Sequence, residues 1–112
     1  MGKEFVKAGT LENISDQRPL RFLAGDTDVV VFQSQREFFA AENSCPHQHF
    51  SLLHQGELHD CTVTCPMHGW KFDLRTGNAM NGNGKLRMFS VDVRGKEIWV
   101  EKPDAQKSFS MF

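Results

Sequence analysis

HDCTVTCPMHGW, residues 59–70, packs two cysteines and two histidines into twelve positions, and CPHQHF, residues 45–50, adds one cysteine and two histidines. All three cysteines and all five histidines of the 112-residue chain fall between Cys45 and His68. Such concentration points to metal ligation or redox chemistry. Three cysteines in a cytoplasmic-type sequence do not make a disulfide framework.

The pattern reduces to Cys45-x-His47, seventeen intervening residues, and Cys65-x-x-His68. Each half offers one thiolate and one imidazole from a short turn. Pro46 and Pro66 follow the two cysteines. Proline fixes its own φ and pushes the preceding residue towards extended geometry, so each cysteine is expected at a strand end with its histidine returning one turn later. Zinc accepts two cysteines and two histidines, but the common zinc spacings pair like with like. The mixed pairs suit a binuclear centre better, with two cysteines on one iron and two histidines on the other. Both metals stay open on spacing alone.

Cys45-Pro46-His47 together with Cys65-Pro66-Met67-His68-Gly69-Trp70, continued as KFDLRTG, resembles the two cluster loops of the Rieske family. The resemblance spans roughly residues 5–101 by strand order, although only the two loops are specific. It implies an all-β, Rieske-type sandwich or barrel of antiparallel sheets carrying a small cluster-binding subdomain of two loops. It also implies a [2Fe-2S] cluster held by Cys45, His47, Cys65 and His68, with the two histidines at the solvent-facing tip. High-potential members carry an additional cysteine in each loop, where this chain has Phe50 and Met67. They also place hydroxyl donors where this chain has Trp70 and Phe72. Without hydrogen bonds to sulfur the potential is expected at the low end of the Rieske span, on the order of −150 mV.

The implied function is that of a ferredoxin component of a bacterial ring-hydroxylating dioxygenase system. Such a protein is a soluble one-electron carrier between a flavin-dependent reductase and a terminal oxygenase, not itself an enzyme. A small carrier that visits two partners is expected to be a monomer. Two other classes compete: a zinc-stabilised structural or interaction module, and a redox-sensing subunit of a larger enzyme. The small subunit of assimilatory nitrite reductase shares the fold but commonly lacks the ligands, all of which are present here. One departure concerns the third loop, where members usually carry proline and this chain reads Asn81-Gly82-Asn83-Gly84.

Composition agrees. Hydrophobic content of 39% and charged content of 24% describe an ordinary globular domain. A net charge of −1 argues against nucleic-acid binding. The longest apolar run, Val29-Val30-Val31-Phe32, is too short to span a bilayer, and no secretory signal opens the chain, so a cytoplasmic location is expected. The expected organisation is one domain, 1–103, and a C-terminal tail, 104–112, whose Phe109, Met111 and Phe112 could dock on the body.

Along the chain, TDVVVFQ (27–33) and REFFAAEN (36–43) read as a hairpin linked by Ser34-Gln35. CTVTC (61–65) and WKFD (70–73) read as short strands, and KLRMFSVDV (85–93) with KEIWVE (96–101) as a second hairpin turning at Arg94-Gly95. One helical turn is expected near Leu11 to Ile14, a long loop with little β character over 44–60, and a simple turn at DLRTG (73–77). Cys61 reads as a buried apolar residue of a short strand, not a fifth ligand. His49 is expected at the surface near the tip, and His54 and His59 in solvent. Trp70 and Phe72 are expected to pack beneath the cluster, Phe50 and Met67 to form an apolar collar, and Glu57 and Asp60 to be a solvated acidic pair.

Overall fold

The computed structural model describes residues 4–43, 53–65, 69–80 and 84–103. Among these residues ten strands carry the fold: β1 (Phe5–Thr10), β2 (Leu20–Ala24), β3 (Thr27–Ser34), β4 (Glu37–Glu42), β5 (Glu57–His59), β6 (Thr62–Thr64), β7 (Lys71–Asp73), β8 (Met88–Phe89), β9 (Val91–Arg94) and β10 (Glu97–Glu101). They form three antiparallel sheets: a base sheet β1-β10-β9, a central sheet β2-β3-β4-β8, and a small sheet β5-β6-β7. The all-β expectation holds. The helical turn is a 3-10 turn at Leu11–Asn13, and a second one lies at Leu53–Gln55.

The run Val29-Val30-Val31-Phe32 explains why three sheets hold together. Its side chains alternate between two faces, and both faces are covered. Val30 and Phe32, with Ala41 of β4, pack against Leu53, Val63, Phe72 and Leu74 on the small-sheet side. Val29 and Val31, with Ala40, pack against Ile98 and Val100 of the base sheet. The central sheet is therefore shared by two cores.

Several boundaries differ from those read from sequence. The first hairpin turns at Gln35-Arg36, not Ser34-Gln35, because Ser34 stays in the ladder opposite Glu37. Its hydroxyl, buried on the sheet, accepts the Cys61 N–H at 3.1 Å. Gln35 (φ 54°) and Arg36 (φ 67°) both take left-handed backbone, as a two-residue hairpin loop demands. Asp60 (φ 48°) and Cys61 (φ 63°) do the same between β5 and β6, so Cys61 lies in a turn, not on the strand. The stretch read as a long loop thus contains a 3-10 turn and β5. The run 85–93 also divides: Met88–Phe89 joins the central sheet, Val91–Arg94 joins the base sheet, and Ser90 makes the crossing. There the Ser90 N–H donates to Glu101 Oε1 at 3.0 Å, and its carbonyl accepts the Glu101 N–H at 2.9 Å.

Candidate metal centre

Of the four expected ligands, Cys65 lies within the described residues; Cys45, His47 and His68 lie outside them, as do His49, Phe50, Met67 and the tail. Cys65 is fully buried just after β6, where Thr64 pairs with Lys71 of β7. Its N–H donates to the Trp70 carbonyl at 2.7 Å, which closes the second loop at its base. Gly69, with φ 68°, supplies the left-handed residue that brings the chain back into β7. A strand end, a closing hydrogen bond and a left-handed glycine thus fix the thiol of Cys65 on a rigid base.

Trp70 is half-buried and Phe72 fully buried, both packed with Cys65 in the small-sheet core, as expected. Neither offers a hydroxyl. Beside this loop, Met80 donates its N–H to the Lys71 carbonyl at 2.8 Å, and the Ala79 N–H closes the third loop on Gly84 at 3.0 Å. The Met80 side chain is 59% exposed, and its sulfur accepts the Thr62 hydroxyl at 3.7 Å, so it lies over the small sheet towards the end of β6 away from Cys65. Residues 81–83, the proline-less part of that loop, lie outside the described residues.

The first loop enters through Asn43 and leaves through Leu53–Gln55. Asn43, fully buried, accepts the His54 N–H on Oδ1 at 2.8 Å, and its Nδ2 stands 2.9 Å from His54 Nδ1. His54 is therefore a structural residue and not the solvated one expected. Burial, then the charge of Arg21, hold its imidazole below the ordinary histidine value, with Asp28 opposing them. The signal in the sequence is slight: an Asn two residues before Cys45, one of the expected ligands, and a histidine nine residues after it. Gly56 follows, and a Cβ there would stand 2.5 Å from the Thr64 carbonyl and 2.9 Å from Val63 Cγ2. The loop exit thus presses directly on the strand that leads into Cys65.

Cys61 sits at the opposite end of β6. The three extended residues of β6 separate it from Cys65 by four steps of the chain, about 13 Å, too far to share one small cluster. It is buried, and Arg75 Nη2 donates to its Sγ at 3.4 Å while Arg75 Nη1 meets Glu37 Oε1 at 3.1 Å. Arg75 leaves the DLRTG turn, which is closed by the Gly77 N–H on the Asp73 carbonyl at 2.6 Å. His59, Glu57 and Asp60 are exposed, as expected, and Asp60 accepts from Gln35 Nε2 at 3.3 Å. Neither Cys61 nor Cys65 is in a disulfide.

The chemistry of the donor set fits a [2Fe-2S] centre with mixed ligation. Beside the buried thiol of Cys65, the sequence supplies one further thiol, Cys45, and three imidazoles, His47, His49 and His68, on the same pair of loops, enough for two of each. Among the described residues no helix is long and apolar enough to cross a membrane.

Residues 4–92 match the Rieske [2Fe-2S] domain family. The 3-phenylpropionate/cinnamic acid dioxygenase ferredoxin subunit of Shigella boydii serotype 4 (strain Sb227) is 32% identical over 80 residues, covering 70% of this chain and 76% of its own. The biphenyl dioxygenase ferredoxin subunit of Pseudomonas sp. (strain KKS102) is 27% identical over 99 residues, covering 87% of this chain and 91% of its own. Among solved structures, the ferredoxin of carbazole 1,9a-dioxygenase from Nocardioides aromaticivorans IC177 superposes with a TM-score of 0.80 at 28% identity, covering 88% of this chain and 98% of its own.

Proposed function

The chain belongs to the Rieske [2Fe-2S] domain family, and on that premise we propose that it carries single electrons from a flavin-dependent reductase to the terminal oxygenase of a ring-hydroxylating system. Its cofactor is the family's [2Fe-2S] cluster, which when bound takes up and releases one electron. Cys45 and Cys65 would hold one iron, and His47 and His68 the other. The observation that carries this assignment is Cys65, buried on a loop closed by its own N–H to Trp70.

The chain's own residues then have separate tasks. Trp70 and Phe72 exclude water from beneath Cys65 and offer no hydroxyl to its sulfur, which supports a potential at the low end of the Rieske span. The protein acts as a cytoplasmic monomer that visits its two partners in turn. The domain ends near Pro103, with 104–112 as a tail.

Electron paramagnetic resonance of the dithionite-reduced protein tests the assignment. A rhombic spin-half signal with an average g below that of all-cysteine clusters is expected in wild type and in Cys61→Ala, and is lost in His47→Ala and His68→Ala. Colourless, zinc-containing protein without that signal, or a signal that survives His68→Ala, would overturn it. Rapid reoxidation of the reduced protein by a ring-hydroxylating oxygenase then separates a carrier from a sensor.

A further inference from the structure

Two side chains join the ends of the first ligand loop across residues 44–52. Asn43 precedes Cys45 by two positions, and His54 follows His47 by seven. The Asn43 backbone N–H donates to the Asp28 carbonyl at 2.7 Å, and its Nδ2 donates to Asp28 Oδ2 at 3.3 Å. Arg21 grips the same carboxylate, with Nε at 3.0 Å from Oδ1 and Nη2 at 2.8 Å from Oδ2.

These neighbours fix the orientation of the amide. Its Oδ1 must meet the His54 N–H, and its Nδ2 must meet the Asp28 carboxylate. An amide nitrogen only donates, so His54 Nδ1, at 2.9 Å, must accept. The ring therefore carries its proton on Nε2 and is neutral. Protonation at Nδ1 would set one donor against another. Rotating the amide to relieve this would turn Oδ1 towards a carboxylate and Nδ2 towards a backbone N–H. Either way hydrogen bonds of a buried group are broken.

We propose that Asn43 and His54 are positioning residues forming a pH-sensitive clasp, which ties residue 43 to residue 54 across the first ligand loop while His54 is neutral and parts when His54 takes up a proton, so that retention of the cluster depends on pH. The proposal rests on the reading that this loop supplies Cys45 and His47. The charged groups facing the imidazole are Arg21 of β2, which disfavours its protonation, and Asp28 of β3, which favours it. Burial and Arg21 prevail, so the closed form holds the lower histidine pKa. The open form binds the proton more readily, with a pKa of about 6.5. The clasp is therefore fully effective above about pH 6.5 and weakens as pH falls from there through the closed-form value.

The test is cluster release from the full-length holoprotein into excess chelator, followed by visible absorbance between about pH 8 and pH 5. Wild type is expected to accelerate as pH falls below about 6.5. His54→Phe removes the acceptor and the titration, so it should release about tenfold faster at high pH and lose that acceleration. Asn43→Asp replaces the amide donor by an acceptor for the protonated ring, and should reverse the sign, holding the cluster better at low pH than at high. Loss of fold in Asn43→Asp leaves the comparison with His54→Phe decisive. A wild-type profile in His54→Phe, or the same sign of pH dependence in folded Asn43→Asp, would overturn the clasp. The ligand reading fails separately: it falls if His47→Ala keeps the mixed-ligand resonance signal, whatever the release profiles.

Discussion

The Cys61 thiol is buried and accepts a hydrogen bond from Arg75 Nη2 at 3.4 Å, while its backbone helps to close the turn between β5 and β6. Three alternating positions, Cys61, Val63 and Cys65, suggest a strand that buries one face, and all three are indeed buried. Yet Cys61 is in the left-handed region at φ 63°, where a non-glycine residue costs roughly 1 kcal/mol. Nothing in CTVTC signals a turn of the Asn-Gly kind. Replacing the thiol by alanine removes a small buried group and should cost about 1–2 kcal/mol. Glycine loses the same group and adds chain entropy to the unfolded state, but relieves the strain. The two terms nearly cancel, so Cys61→Gly should unfold in urea within about 1 kcal/mol of Cys61→Ala. A glycine variant clearly weaker than the alanine variant would argue that the turn is not left-handed. The role of His54 is hidden for a related reason: one polar residue in a polar stretch carries no trace of the buried Asn43 it meets.

At the scale of elements, a continuous apolar run was legible and crossings were not. The VVVF run and its hairpin partner stand out because both faces are apolar. The run 85–93 has two apolar faces for another reason: Leu86 and Met88 belong to one core, Phe89 and Val91 to the other, and the strand changes sheets at Ser90. A two-faced pattern cannot distinguish a strand buried on both sides from one that switches partners. The 3-10 turn after the first loop was invisible because three residues have no periodicity, yet it braces the site. Its Gly56 lies against the Thr64 carbonyl, with 2.5 Å left for a Cβ. The obstacle is backbone, so relief must come from moving the turn off β6, next to Cys65. Overpacking of this kind costs about 1–3 kcal/mol. Gly56→Ala should therefore lower iron content per chain in purified protein while its far-ultraviolet dichroism stays β-like. Full iron loading in Gly56→Ala would show that the turn and β6 separate without consequence.

For the whole molecule, the family was legible in two short stretches, Cys45-Pro46-His47 and Cys65-Pro66-Met67-His68, because cysteine, proline and histidine recur there at a spacing that few other chemistries need. The division of labour between sheets was not visible, since it depends on which face of the central sheet meets which neighbour. The base core draws on Val29, Val31, Ala40, Ile98 and Val100, and no residue of the small sheet belongs to it. The small sheet has three strands of three residues each, a size that is marginal without further support. Its support is the central sheet on one side and, on the proposed ligand assignment, a metal centre at its loops. Binding energy at a site absent from the unfolded chain is folding energy, so removing the metal should loosen the part that closes around it. Hydrogen exchange of the full chain before and after chelation should then show amides of β5, β6 and β7 losing protection first. Those of β1 and β10, whose ladder runs from Phe5 opposite Glu101 to Thr10 opposite Glu97, should keep theirs. Equal loss in both regions would mean that Val30 and Val31, back to back on one strand, bind the two cores into a single cooperative unit.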